Sequence, residues 1–480
     1  MAPKPQPEEE RSLKLLLWLV AVGFFMQTLD ATIVNTALPA MAASLGESPL
    51  RMQSVVVAYS LTMAMLIPAS GWMADRFGTR RIYVGAIVLF VLGSVLCAFA
   101  NSLALLVTAR VVQGLGGALL LPVGRLVVLR TFPRERFLQA MSFVAIPGLV
   151  GPLIGPTLGG WLVEAASWHW IFLINVPVGV IGALATLRYM PTPAPVSVGR
   201  FDGAGYAMLA FGMMALSLAL DGLSGLGLRQ ASVLVLMIFG LASLTAYWLH
   251  ALRRPDPLFS PKLFEVGSLR IGLLGNLFSR LGSSCMPFLI PLLLQVTMGY
   301  SPAQAGMMML PVAIASMSMK RITTPLIMRH GYRRVLTVNT LLVGLTMASF
   351  ALSSPEQPLI LRIVQLALFG AVNSMQFTAM NTLTLKDLGS TTASSGNSLL
   401  SMMQMLAMGM GVAAAGAVLA AFTDYFGSDA AGATQTLQSF RATFACMALI
   451  TIASAGIFWQ LSPQDSSAGA AAKEQDVEAG

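Results

Sequence analysis

The chain has 480 residues, of which 56% are hydrophobic and only 10% charged. A soluble globular domain carries about 25% charged residues because its surface must face water. This composition therefore excludes an ordinary soluble enzyme, a disordered chain and a nucleic-acid binder, and the net charge of +9 matters more for where it falls than for its size.

A helix needs about 20 mostly apolar residues to cross a bilayer. Fourteen segments qualify: 15–39, 54–73, 82–100, 103–123, 138–163, 170–190, 204–222, 231–250, 270–293, 303–319, 335–353, 357–381, 397–422 and 441–461. They predict an all-α integral membrane protein. The first is too long for a signal-peptide core of roughly 7–15 residues, and Asp30 interrupts it, so it reads as an uncleaved helix. The segment 138–163 is rich in Gly and Pro, and 303–319 is short. With the N-terminus placed inside, 23 of the 29 Lys and Arg fall in termini and loops on that side. Only Arg51, Arg229 and Arg441 fall on the other, and Arg110, Arg280 and Arg362 lie within spans. Basic loops gather on the cytoplasmic side of membrane proteins, so both termini are expected there. Cys97, Cys285 and Cys446 all sit in apolar runs, which predicts small core side chains and neither a disulfide framework nor a metal site. The 30 methionines read mainly as adaptable packing groups.

The sequence repeats itself at an offset of 253 residues. Ser48-Pro49 matches Ser301-Pro302, and Gly78-Thr79-Arg80-Arg81 matches Gly331-Tyr332-Arg333-Arg334. After a one-residue deletion, Arg110-Val111-Val112-Gln113 matches Arg362-Ile363-Val364-Gln365. The expected organisation is a cytoplasmic tail (1–14), a six-helix bundle (15–190), two inserted helices with a linker (191–269), a second six-helix bundle (270–461) and a disordered tail (462–480). Parallel six-helix halves are a transporter architecture, with the substrate site near the membrane midplane.

Three motifs carry a family resemblance. Gly71-Trp72-Met73-Ala74-Asp75-Arg76-Phe77-Gly78-Thr79-Arg80-Arg81 resembles motif A of the major facilitator superfamily. Arg110 with Gln113-Gly114-Leu115-Gly116-Gly117 resembles motif B, and the run Gly148 to Gly160 resembles motif C, the antiporter signature. The stretches Leu29–Pro39 and Trp168–Pro177 resemble the first-helix and sixth-helix signatures of its fourteen-span drug:proton antiporter subfamily. The resemblance implies a major facilitator fold of two six-helix bundles plus two extra helices, in a bacterial inner membrane. It further implies a cytoplasmic latch at Asp75, Arg76 and Arg81, and help from Arg110 in a proton step. By their own chemistry, Gly78 permits a tight turn, and Asp75 can pair with Arg76 or Arg81 or accept from a helix N-terminus. Met328 stands where a second such acid would align. In motif C, Gly148, Gly151, Gly155, Gly159 and Gly160 allow close helix approach, while Pro152 and Pro156 favour a bend.

Ionisable groups inside a bilayer are costly and usually functional. Asp30 is the only acid well inside a span, and Gln27 lies on the same helix face. Arg280 stands opposite Gln27 in the repeat, so Gln27, Asp30 and Arg280 are expected to line one central cavity, with Asn373 and Gln376 as further candidates. Arg362 either lines that cavity or snorkels outward. A carboxylate in a low-dielectric site prefers its proton, and a nearby Arg opposes this. Asp30 with Arg110 is therefore the expected proton-coupling pair.

The family resemblance points to export of amphipathic drugs. Against this, the span-borne charges include one acid and up to three arginines. Arginine suits carboxylates, so export of a small anionic metabolite such as citrate or a metal–citrate complex is the competing expectation. The sequence lacks HExxH, GxSxG, CxxC and P-loop motifs, so an enzyme or ATP-driven pump is not expected, and a channel would not need two repeated halves. The partners expected are lipid, protons and a small-molecule substrate, with no cofactor and a monomeric chain.

Overall fold

The computed structural model describes residues 7–132, 134–191, 200–222, 230–388, 393–426 and 433–461, and these contain helices but no strand. The expected disordered tail at 462–480 lies outside the described residues. In chain order the helices are α1 (Pro7–Leu45), α2 (Gln53–Phe77), α3 (Thr79–Ala98), α4 (Leu103–Thr131), α5 (Arg134–Ala165), α6 (Trp170–Leu173) and α7 (Asn175–Tyr189). Next come α8 (Gly203–Gly222), α9 (Gln230–Arg253), α10 (Gly267–Ser283), α11 (Met286–Val296) and α12 (Pro302–Met307). The last are α13 (Leu310–Ser349), α14 (Leu359–Leu385), α15 (Ala393–Phe426), α16 (Ala433–Ala453) and α17 (Ala455–Trp459).

Among the described residues, 12 helical stretches are long and apolar enough to cross a membrane. The remaining two of the fourteen sequence segments, 138–163 and 303–319, also lie on helices. The first lies within α5, a 32-residue helix that carries three internal prolines. The second is divided, because α12 ends at Met307 and α13 begins at Leu310.

The chain falls into two compact units. One holds the chain through Phe201 together with Ser301–Met307; the other holds Asp202–Tyr300 and the chain from Met308 onward. These limits differ from those drawn on the sequence in two places. The inserted helices α8 and α9 join the second unit, where α8 packs on α9 and α15. Ser243 Oγ donates to the Met208 carbonyl across the α8–α9 contact (2.7 Å). Asp202, just before α8, ties the same pair together. Its carboxylate accepts from the Gly205 and Leu258 backbone N–H groups and lies 2.9 Å from His250 Nε2. Burial opposes its charge, yet the His250 and backbone hydrogen bonds outweigh burial and hold Asp202 below the ordinary carboxylate value. The second difference is α12, which packs on α5 in the first unit. There Thr157 Oγ1 donates to the Gly306 carbonyl (3.1 Å), and Glu164 accepts from Ser301 Oγ (2.8 Å).

The internal repeat extends to the backbone. Among the described residues the positive-φ positions are four glycines: Gly46 (67°), Gly78 (89°), Gly299 (68°) and Gly331 (75°). They form two pairs, and each pair is separated by the same 253 residues as the sequence repeat. Gly78 joins α2 directly to α3, and Gly331 breaks α13 at the corresponding place. A residue with a Cβ rarely adopts this left-handed conformation, so the same turn chemistry is built twice.

Candidate functional site

In the first unit, five helices bring their polar side chains to one point, and Asp30 on α1 is its centre. Its Oδ2 accepts from Arg110 Nη1 on α4 at 2.6 Å. Its Oδ1 accepts from Gln113 Nε2 at 2.7 Å and from Asn175 Nδ2 on α7 at 3.2 Å. Arg110 and Gln113 are three residues apart on α4, and so share a face. Arg110 Nη1 also donates to Gln113 Oε1 (2.6 Å), and its Nε donates to the Val55 carbonyl on α2 (3.3 Å). Ser94 Oγ on α3 accepts from both Gln113 and Asn175. The guanidinium lies 4.1 Å from the centroid of the Tyr59 ring. Asp30 is 0% exposed and Arg110 1%. This ion pair is sealed from water, and each charge is held by several donors or acceptors as well as by its opposite. Such sealing is affordable only with that degree of satisfaction.

Gln27 is also buried, but its Oε1 has no hydrogen-bond partner among the described residues. Gln27 and Asp30 belong to the first unit, whereas Arg280, Asn373 and Gln376 belong to the second. Arg280 Nε donates to Asn276 Oδ1 (3.2 Å), and its guanidinium sits 4.5 Å from the Phe377 ring centroid. Among the described residues no carboxylate lies in salt-bridge range of Arg280. Gln376 is committed to helix contacts: it donates to Thr340 Oγ1 (2.7 Å) and Ser279 Oγ (3.4 Å) and accepts from Asn339 (2.7 Å). Asn373 is half-buried. Arg362 is buried rather than snorkelling, and donates to the Tyr300 hydroxyl and to the Ser354 carbonyl (2.9 Å).

The acid of motif A has a partner the sequence did not propose. Asp75 pairs with Arg130 on α4, not with Arg76 or Arg81. Consecutive residues on a helix point about 100° apart, which turns Arg76 away. Meanwhile α2 packs along α4, whose basic end carries Arg130. Arg76, Arg81 and Gly71 are exposed. The glycines of motif C face α1 in sequence: Gly148 meets Phe24, Gly151 meets Thr28, Gly155 meets Thr32, and Gly159 meets Ile33 and Thr36. Gly160 faces the α12 backbone at Pro302 instead. Thr36 Oγ1 contacts the Pro156 carbonyl (3.2 Å), and Pro152 is exposed.

Residues 20–412 match the family model described as Major Facilitator Superfamily. The chain belongs to the major facilitator superfamily. A relative from Serratia proteamaculans is 52% identical over 92% of this chain and 91% of its own length, and carries the name "Putative multidrug resistance protein MdtD". A relative of the same name from Pectobacterium atrosepticum is 51% identical over 94% of this chain and 96% of its own length. Among solved structures, a POT family transporter in complex with 5-aminolevulinic acid has a TM-score of 0.68 at 17% identity, and covers 95% of this chain and 97% of its own. A peptide transporter POT variant has a TM-score of 0.69 at 14% identity, with 94% of each chain covered. The last two likenesses concern the fold alone.

This major facilitator protein is a multi-pass membrane transporter. Asp30 and Arg110 stand out in its sequence as charges inside spans. Gln113 and Asn175 lie within the quoted motifs, but only the structure gives them a role beside Asp30. Ser94 and Tyr59 carry no signal of their own, since a lone hydroxyl or aromatic in an apolar span is usually packing.

Proposed function

We propose that this transporter is a proton-coupled exporter, an antiporter that moves amphipathic drugs or toxic compounds out across a bacterial inner membrane, with both termini cytoplasmic. The observation that carries the reading is the sealed Asp30–Arg110 pair. With Asp30 charged, the pair holds α1 to α4 and Arg110 holds α2. A proton on Asp30 removes the attraction and one of the acceptors of Arg110. The charged and protonated forms therefore favour different arrangements of these helices, which is the link that coupled transport requires. Alternating exposure of Asp30 to the two sides would load and release the proton. The drug class comes from the relatives' name, together with the antiporter motif lining α1.

Asp30→Asn tests the proton role. In proteoliposomes or everted vesicles with an imposed pH gradient, the variant should insert normally and lose gradient-driven export. Normal export by the Asn variant refutes the carrier role.

One observation favours a second reading, export of a small anion. Arg280 is a span-borne cation held by Asn276 and Phe377, with no acid in reach among the described residues. Arginine presents a fork of donors that fits a carboxylate. Arg280→Ala separates the two: loss of carboxylate efflux with drug tolerance intact supports the anion reading, and unchanged carboxylate efflux refutes it.

A further inference from the structure

The first unit contains an apolar cavity of about 300 Å³ between α1, α3, α4 and α7. That is the lower end of the size range of ligand pockets, roughly 300–1,000 Å³. Its lining follows α1 from Leu15 to Met26 and α7 from Val178 to Tyr189. Eleven residues of helix span about 16 Å, close to half the hydrocarbon thickness of a bilayer, about 30 Å. The cavity therefore has the depth of one leaflet. At the basic-loop end of these helices the lining includes Trp18 and Tyr189, whose rings are exposed. Lys14 and Arg188, next in sequence to the lining residues Leu15 and Tyr189, are both exposed there. At the other end its lining includes Met26, Phe90 and Gly179. Each of these stands one helical turn from a member of the polar network, namely Asp30, Ser94 and Asn175 respectively.

We infer that this cavity holds one acyl chain of an anionic phospholipid from the inner leaflet. Its phosphate would lie between Lys14 and Arg188, and its tail would form an apolar floor beneath the Asp30 network. The leaflet assignment rests on the orientation proposed above. The occupant is argued from length, lining and charge together. A lining one leaflet long and almost wholly apolar suits a hydrocarbon tail, interfacial aromatics mark the headgroup level, and basic pockets on this side recruit anionic headgroups.

The full chain, purified in detergent and delipidated, is offered phosphatidylglycerol or phosphatidylcholine and examined by native mass spectrometry. One phosphatidylglycerol per chain should survive activation that strips phosphatidylcholine. Gly182 lines the cavity, and a Cβ there meets nothing nearer than Ile87 Cδ1 at 3.9 Å. Gly182→Leu should therefore fill the cavity and reduce retention about tenfold or more. The Lys14→Gln/Arg188→Gln pair should keep lipid binding but abolish the headgroup preference, worth roughly thirtyfold for two cations. A folded Gly182→Leu variant that retains phosphatidylglycerol at the original occupancy overturns the inference, as does indifference to headgroup in the unmodified chain. If Gly182→Leu does not fold, a phosphatidylglycerol with a photoreactive acyl terminus decides on the unmodified protein. Labelling concentrated on 15–26 and 178–189 supports the site, and labelling spread evenly over all the membrane helices overturns it. None of these measurements involves transport, so their failure is distinct from failure of the antiport proposal.

Discussion

Neutralising Asp30 should cost stability as well as coupling, and a double-mutant cycle can separate the two. The carboxylate accepts from three side chains, one of them a guanidinium only 1% exposed. An amide at position 30 offers one acceptor and one donor group. If its oxygen faces Arg110, its NH2 faces the NH2 groups of Gln113 and Asn175; if it flips, its NH2 faces the guanidinium. Either orientation sets donor against donor. Breaking one side of a buried ion pair costs about 3–5 kcal/mol because the other charge stays buried. Arg110 keeps Gln113 Oε1, the Val55 carbonyl and the Tyr59 ring, which places Asp30→Asn near the lower end of that range. Arg110→Gln in the same background removes the stranded charge. The interaction energy of the pair should then lie toward the upper end of the roughly 0.5–3 kcal/mol found for contacting residues. The assay is reversible unfolding in mixed micelles followed by tryptophan fluorescence, run on both single variants and the double. Transport is measured in parallel. The double variant should recover stability without recovering proton-driven export. A cost below about 1 kcal/mol for Asp30→Asn, the level of an exposed pair, would refute the sealed-pair reasoning.

Three other perturbations have outcomes fixed by the geometry. Gly159→Ala drives a Cβ into the Ile33 carbonyl and the Thr36 side chain. Overpacking of this kind costs about 1–3 kcal/mol, so melting should fall, whereas Ala at Gly71, which has open space, should leave it unchanged. Gly78→Ala meets no neighbour but must adopt φ 89°. It should cost about 1–3 kcal/mol from the positive-φ backbone alone. Asp202 has a folded-state pKa below its unfolded value of 3.8. Its contribution is therefore fully present above that value and is lost as pH falls through the lower, folded pKa. Asp202→Asn should lower stability at neutral pH and flatten the acid limb of a melting-versus-pH profile below about pH 4. An unchanged acid limb would show that Asp202 does not anchor α8 and α9.

Much of this was legible in the sequence because membrane helices leave strong signals. Apolar runs of span length locate them, and a charge within one of them, such as Asp30 or Arg110, is conspicuous. Contact partners were less legible. Asp75 has two arginines close by in sequence, but helix geometry turns Arg76 away and α4 supplies Arg130 from 55 residues downstream. The attachment of α12 to α5 depends on backbone contacts at Gly160 and Gly306, and a glycine does not announce its partner.

The repeat is faithful in its turns and broken in its charges. The glycine turns at 46 and 78 return at 299 and 331 with similar φ, since a left-handed turn requires glycine wherever it is built. At the offset of 253, however, Ser283 takes the place of Asp30 and Met328 that of Asp75. With one residue deleted, Thr382 takes the place of Arg130. Arg362, the counterpart of Arg110, is buried like it but is held by a tyrosine hydroxyl and a carbonyl rather than by a carboxylate. A proton can therefore change the net charge of the network in the first unit while leaving its counterpart in the second unaltered. The second unit keeps a cation, Arg280, with no acid in salt-bridge range among the described residues. This division favours a first half that responds to protons and a second half free to specialise in substrate.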